Sequence, residues 1–174
     1  ELGLAVTEQD IERATAAYDG AREAVRAFVN AGSTREIVFT RNATESINLV
    51  ARAWGDAHVH AGDEVLVTTL EHHSNIVPWQ LLCERAGATL RAVPIDDRGE
   101  LLMDDFARML TQRTRMVALT HQSNVLGTIT PVAEIVALAH RAGAAVLVDG
   151  SQAVVHLPID VRAIGAEFYV FTAH

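Results

Sequence analysis

A single cysteine, Cys83, occurs in 174 residues. An internal disulfide and a thiolate metal cluster are therefore excluded, and a reducing, cytoplasmic setting is the default. Lysine is missing altogether and no GxGxxG occurs, so neither a Walker-type phosphate loop nor a dinucleotide fingerprint is present. No apolar run approaches the roughly 18 to 20 residues of a bilayer span, and no membrane contact is expected. Cationic charge is scarce: 14 basic against 22 acidic residues give a formal charge of -8. That weighs against nonspecific nucleic-acid binding, which draws its affinity from many cationic phosphate contacts. It does not exclude a small anion, which a helix N-terminus can hold without help from net charge. What the chain has in quantity is apolar residues, 49% of the total, enough for one domain with a sizeable core.

Residues 7 to 29 read as a helix, capped by Thr7 with Asp10 three positions on. Ala14, Ala17, Ala21, Val25 and Phe28 give it one apolar face, and Asn30 to Ser33 end it. A regular alternation follows. Strands are expected at 36–40, 64–69, 89–95, 115–121, 144–150 and 167–174. Helices are expected at 44–54, 76–87, 102–110 and 131–143, the last opening on Pro131 and closing on Gly143. Short apolar strands separated by helices predict an α/β fold, a mostly parallel sheet covered by helices on both faces. Right-handed crossovers bring the strand C-termini to one edge, where such sheets bind ligands.

Polar residues gather at that edge. In "FTRNATESINLV" (39–50) a helix begins near Thr44, whose hydroxyl and neighbouring N–H groups suit a phosphate; a plain N-cap is the alternative. In "TTLEHHSNIVPW" (68–79), His72 and His73 could be metal ligands, bases or stacking platforms. A zinc site would have to recruit His121 and Asp149, and no metal is expected. Asp149 ends an almost wholly apolar strand, where a carboxylate is costly without a partner. A protonated ring nitrogen is one such partner, loop amides or magnesium are others, and Gln152 lies close behind. Thr172 and His174 alternate, so both can face one anion.

The stretches "RNATESINLVARAW", "EHHSNIVPWQLL", "THQSNVLGTITPV", "VLVDGSQAVVHLPIDV" and "FYVFTAH" together resemble the cysteine desulfurases of the class V aminotransferase group of fold-type I pyridoxal-phosphate (PLP) enzymes. "EHHSNIVPWQ" is most similar to the group II branch, which includes selenocysteine-lyase-like enzymes. The resemblance covers essentially the whole chain but less than half of a typical member.

It implies roles residue by residue. Thr44 is similar to the threonine that holds the cofactor phosphate. His72 resembles the histidine stacked on the pyridine ring, which also serves proton transfer. Asn124 resembles the asparagine near the cofactor oxygen and the substrate carboxylate. Asp149 resembles the partner of the pyridine nitrogen, and Gln152 the glutamine near the ring hydroxyl. Thr172 and His174 resemble phosphate ligands, with Ala173 where the family has glycine. The resemblance further implies conversion of L-cysteine to L-alanine, with the sulfur passed to an enzyme cysteine and on to an acceptor protein, and a role in sulfur metabolism and iron–sulfur cluster assembly. It also implies a homodimer. The alternatives are a selenocysteine lyase, another class V lyase or epimerase, and a noncatalytic scaffold fragment. The anchoring lysine, the attacking cysteine and the small C-terminal domain lie outside these residues, so the chain reads as one piece of a longer polypeptide. Residues 1–34 form an N-terminal helical segment in this reading, and 35–174 the first portion of the PLP-binding large domain. Family topology also places a late antiparallel strand between the segment at 36–40 and the last parallel strand.

Overall fold

The structure, a computed structural model, describes residues 7–173. His174 lies outside the described residues. Helix α1 (Glu8–Phe28) begins with the expected reciprocal cap: Thr7 Oγ accepts the Asp10 N–H at 3.2 Å, and Asp10 accepts the Thr7 N–H at 3.3 Å. It ends just before Asn30, which takes the left-handed conformation (φ 54°) expected of that residue. None of its residues is buried, and Ile11, Tyr18 and Phe28 are exposed, so the apolar face read from the sequence is left uncovered by the described chain.

Five strands follow: β1 (Glu64–Thr68), β2 (Thr89–Val93), β3 (Thr114–Thr120), β4 (Ala145–Asp149) and β5 (Phe168–Val170). They form one sheet, ordered β2-β1-β3-β4-β5, with every pairing parallel. Alternate side chains go to opposite faces. Val65, Val67, Met116, Ala118 and Leu147 pack with Ile47 of α2 (Ala43–Val50) and with Trp79 and Leu82 of α4 (Val77–Ala86). Leu66, Val117, Leu119, Val146 and Val148 pack with Phe106 of α5 (Met103–Met109) and with Ile135 and Ala139 of α6 (Val132–Arg141). Each fully buried Val or Leu contributes roughly 1.5–3 kcal/mol, so these two faces supply most of the driving force. Gly87 stops α4 in the left-handed conformation, and Pro131 caps α6.

Several expectations need correction. Residues 36–40 do not form a strand: a 3-10 turn spans Thr34–Glu36, and the extended chain beyond it finds no sheet partner among the described residues. That segment faces β5, the edge strand, across a groove of about 620 Å³ lined by Val38, Phe39, Leu49, Trp54, Phe168 and Val170. The groove lies between the two segments that the family topology separates by a further strand. The last strand is also shorter than 167–174, because only Phe168–Val170 have a neighbour to pair with. The helix expected at 44–54 starts at Ala43 and passes through a π turn (Ala51–Gly55) into α3 (Asp56–His58). The sequence reading also missed two short helices, α7 (Ala153–His156) and α8 (Val161–Ile164). These pack on Val29 and Ala31, and Asn30 Nδ2 donates to Asp160 Oδ2 at 2.9 Å, tying the end of α1 to the rest.

At the N-terminal edge of the sheet, Glu64 is 4% exposed and accepts from Arg91 (3.1 Å), Arg113 (2.6 Å) and the Thr111 hydroxyl (3.0 Å). Burial by itself raises its carboxyl, but the three donors together outweigh burial and hold it below the usual carboxylate range. A depressed carboxylate stabilises the fold fully above its unfolded pKa of about 4.3, and the contribution is lost as pH falls through the folded value. Glu64→Gln should therefore lower stability by about 2 kcal/mol at neutral pH. Denaturant midpoints measured from neutral to acid pH should show that difference shrinking below about pH 4.3.

Candidate functional site

Because the sheet is parallel, all five strand C-termini share one edge. Asp149 stands at the end of β4, next to the edge strand, in register with Thr120 of β3 and Val170 of β5. It is 6% exposed. Its Oδ1 accepts the Ser151 N–H at 3.0 Å, while Oδ2 has no hydrogen-bond partner among the described residues. A buried anion with one backbone donor is short of partners. An N–H cation is the complement that arrangement lacks.

The helix start at α2 is built by Asn42, not Thr44. Asn42 is the N-cap, and its side chain accepts the Glu45 N–H at 2.9 Å. Thr44 is the second helical residue, and its hydroxyl is exposed and unbonded among the described residues. No hydrogen bond occupies the N–H groups of Ala43 and Thr44, as expected at a helix start. This set of two N–H groups and a hydroxyl suits a phosphate. Helix α2 packs against both β5 and the turn at His73–Asn75.

His72 is exposed and caps that turn. The Ser74 N–H donates to its Nδ1 at 3.2 Å, so the proton of the neutral ring sits on Nε2. Asn124 is exposed in a hairpin closed by the Gln122–Ile129 bridge, and Gln152 is exposed just before α7. Neither side chain bonds to another candidate residue among those described. Thr172, half-buried, lines the groove beside β5. The structure thus puts Thr44, His72, Asp149 and Thr172 on elements that meet at one edge. It leaves the side chains of Asn124 and Gln152 free there. Among the described residues, no group of three His, Cys, Asp or Glu side chains could hold a metal.

Three residues at the edge were not singled out from the sequence. Glu71, next to His72, is buried and bridges β1 to β3. Tyr169 shares a 3.0 Å hydrogen bond with His121 Nδ1. Burial, then the charge of Asp149, pushes its phenol up, and burial lowers His121, so both are neutral at neutral pH. Gly150 leaves room for the Tyr169 ring: a Cβ there would lie 2.2 Å from Tyr169 Oη. An acid three residues past an apolar strand end was the one local signal for Glu71; nothing local signalled the other two. Cys83 is buried and burial pushes its thiol up to about 11, which leaves it a packing residue, as expected.

Comparison with known proteins gives concordant matches. The aminotransferase class-V family model matches residues 6–174. A cysteine desulfurase of Enterobacter sp. (strain 638) is 56% identical over 161 residues, 92% of this chain and 40% of the relative. A cysteine desulfurase from Escherichia coli superposes with a TM-score of 0.89 at 37% identity, over 100% of this chain and 44% of that one. A C-DES mutant with glycine covalently linked to its PLP cofactor superposes with a TM-score of 0.82 at 28% identity, over 97% of this chain and 44% of that one. The chain spans about two fifths of the length of the Enterobacter relative.

The Gly150 contact makes a direct prediction. Gly150→Ala should cost about 1–3 kcal/mol by overpacking against Tyr169. The cost should shrink in a Tyr169→Ala background, as a double-mutant cycle on denaturant midpoints would show.

Proposed function

The chain belongs to the aminotransferase class-V family, and from that premise we propose that it carries half of the cofactor cradle of a PLP-dependent cysteine desulfurase. The observation that carries the reading is Asp149: a carboxylate at the end of a buried strand, with one oxygen bonded to a loop amide and the other without a partner among the described residues. The ring nitrogen of pyridoxal phosphate would supply the missing N–H. An adjacent anion keeps such a nitrogen protonated.

The donor set fits the remainder of that cofactor. Thr44 and the free N–H groups opening α2 would hold the phosphate, with Thr172 and His174 as further donors. Gln152 would meet the ring hydroxyl, and Asn124 the neighbouring oxygen and the substrate carboxylate. When bound, pyridoxal phosphate supplies an electron-withdrawing ring that stabilises negative charge on the substrate. Asp149 sustains that demand. His72 would lie against the ring and, with Nδ1 accepting from the Ser74 N–H, would offer its proton from Nε2.

The substrate in this reading is L-cysteine and the product L-alanine. The sulfur leaves on a cysteine outside this sequence, since Cys83 is buried with a raised pKa. Residues 35–174 then form the first part of the PLP-binding large domain, preceded by the helical segment 1–34. We extend the proposal to a homodimer that passes sulfur to an acceptor protein for iron–sulfur cluster assembly in the cytoplasm. The exposed Val125, Leu126 and Ile129 at the site edge support a partner there, and the unpaired Cys83 suits a reducing compartment. No helix among the described residues is long and apolar enough to cross a membrane.

Asp149→Ala in the full-length protein tests the reading. Losing one member of a close charge pair costs about 2 kcal/mol or more, so cofactor affinity should fall roughly 30-fold or further. Alanine release from cysteine should fall with it. A titration of cofactor absorbance that matches the unmodified protein would refute the assignment.

A further inference from the structure

The buried carboxyl of Glu71 has no part in the reading above, yet every oxygen on it is committed. Its Oε1 accepts from the Thr68 hydroxyl at 2.6 Å and from the Thr120 N–H at 2.8 Å. Its Oε2 accepts from Asn75 Nδ2 at 2.6 Å. Asn75, itself fully buried, uses its Oδ1 to accept from Trp79 Nε1 at 3.0 Å, and its N–H donates to the His72 carbonyl at 2.8 Å. The single carboxyl therefore pins the chain on both sides of His72, at the residue before it and three residues after it. It also ties that turn to Thr120, the register partner of Asp149. The sheet does not need a charge here to hold β1 against β3, since their ladder already pairs them. Burial, despite three donors, pushes the Glu71 carboxyl up to about 7, with the charge of Asp149 adding to the effect. An apolar residue would avoid that cost but could not hold the turn.

We propose that Glu71 is a positioning residue: it fixes the His72 turn to the end of β3 beside Asp149, so that the imidazole is presented to the site in one orientation. The inference rests on the cofactor reading above, because only a ligand at Asp149 makes the orientation of His72 matter. The geometry makes Glu71 act through His72 and not on the reacting atoms.

The test compares Glu71→Ala, Glu71→Gln, His72→Ala and the double variant Glu71→Ala/His72→Ala in the full-length holoenzyme. It reads kcat and KM separately, the cofactor absorption band, cofactor affinity without substrate, and Tm. Glu71→Ala should lower kcat roughly 10- to 100-fold, the range for a misplaced catalytic group, shift the band, and leave KM little changed. Glu71→Gln keeps an oxygen for Thr68 and Thr120 but sets its amide N–H against Asn75 Nδ2, so it should recover only part of kcat. In the His72→Ala background, Glu71→Ala should add no further loss of kcat. Should Glu71→Ala fail to fold, Thr68→Val removes one donor at constant shape and should show the same kcat-specific loss. A drop in Tm alone, with kcat and the band unchanged, would overturn the proposal. So would kcat losses that multiply in the double variant. If the unmodified protein takes up no cofactor, both readings fall. If it binds cofactor in an Asp149-dependent way and Glu71→Ala is silent, only the role of Glu71 falls.

Discussion

Asp149 imposes the constraint on which the C-terminal edge of the sheet depends. Val146 to Val148 before it are wholly buried, so its charge is carried to the rim of an apolar layer. One N–H, from Ser151, answers it. Its neighbours respond in the direction electrostatics demands: burial first and the charge of Asp149 second push Glu71 and Tyr169 toward their neutral forms. The edge is left with unbalanced negative potential at one place and the free N–H groups of a helix start at another. A ligand with a cationic ring nitrogen and an anionic phosphate matches both ends.

The opposite edge of the sheet shows that burial of an acid does not by itself mark a site. Glu64 is as buried as Asp149, yet Arg91, Arg113 and Thr111 satisfy it. Its carboxyl falls below the usual range and its surroundings have nothing left to offer a ligand. Glu64 holds the fold. Asp149, with an oxygen still unbonded, has capacity to spare for chemistry. Saturation of the hydrogen-bond set, not depth, separates the two.

Features set by nearby residues were legible in the sequence. The Thr7 and Asp10 cap, the stop at Gly87, the cap at Pro131 and the parallel strands of Val, Leu and Met all follow from local chemistry and short periods. The segments "EIVFT" and "EFYVFTAH" were harder, because a strand exists only where a partner pairs with it, and pairing is not local. Asn42 took the capping role considered for Thr44, which left the Thr44 hydroxyl free. Glu71 escaped notice for a similar reason. The histidine pair beside it looked more reactive, and its burial depends on Thr120, which lies 49 residues further on. Tyr169 and Gly150 meet only once β4 and β5 are side by side.

The central claim is that Asp149 sustains a protonated nitrogen in its ligand. The most direct measurement is the nitrogen-15 chemical shift of the ring nitrogen in labelled cofactor bound to the full-length protein, beside the Asp149→Asn variant. The account predicts a protonated nitrogen at neutral pH in the unmodified protein and loss of that proton in the variant. An unprotonated nitrogen in the unmodified protein would contradict it.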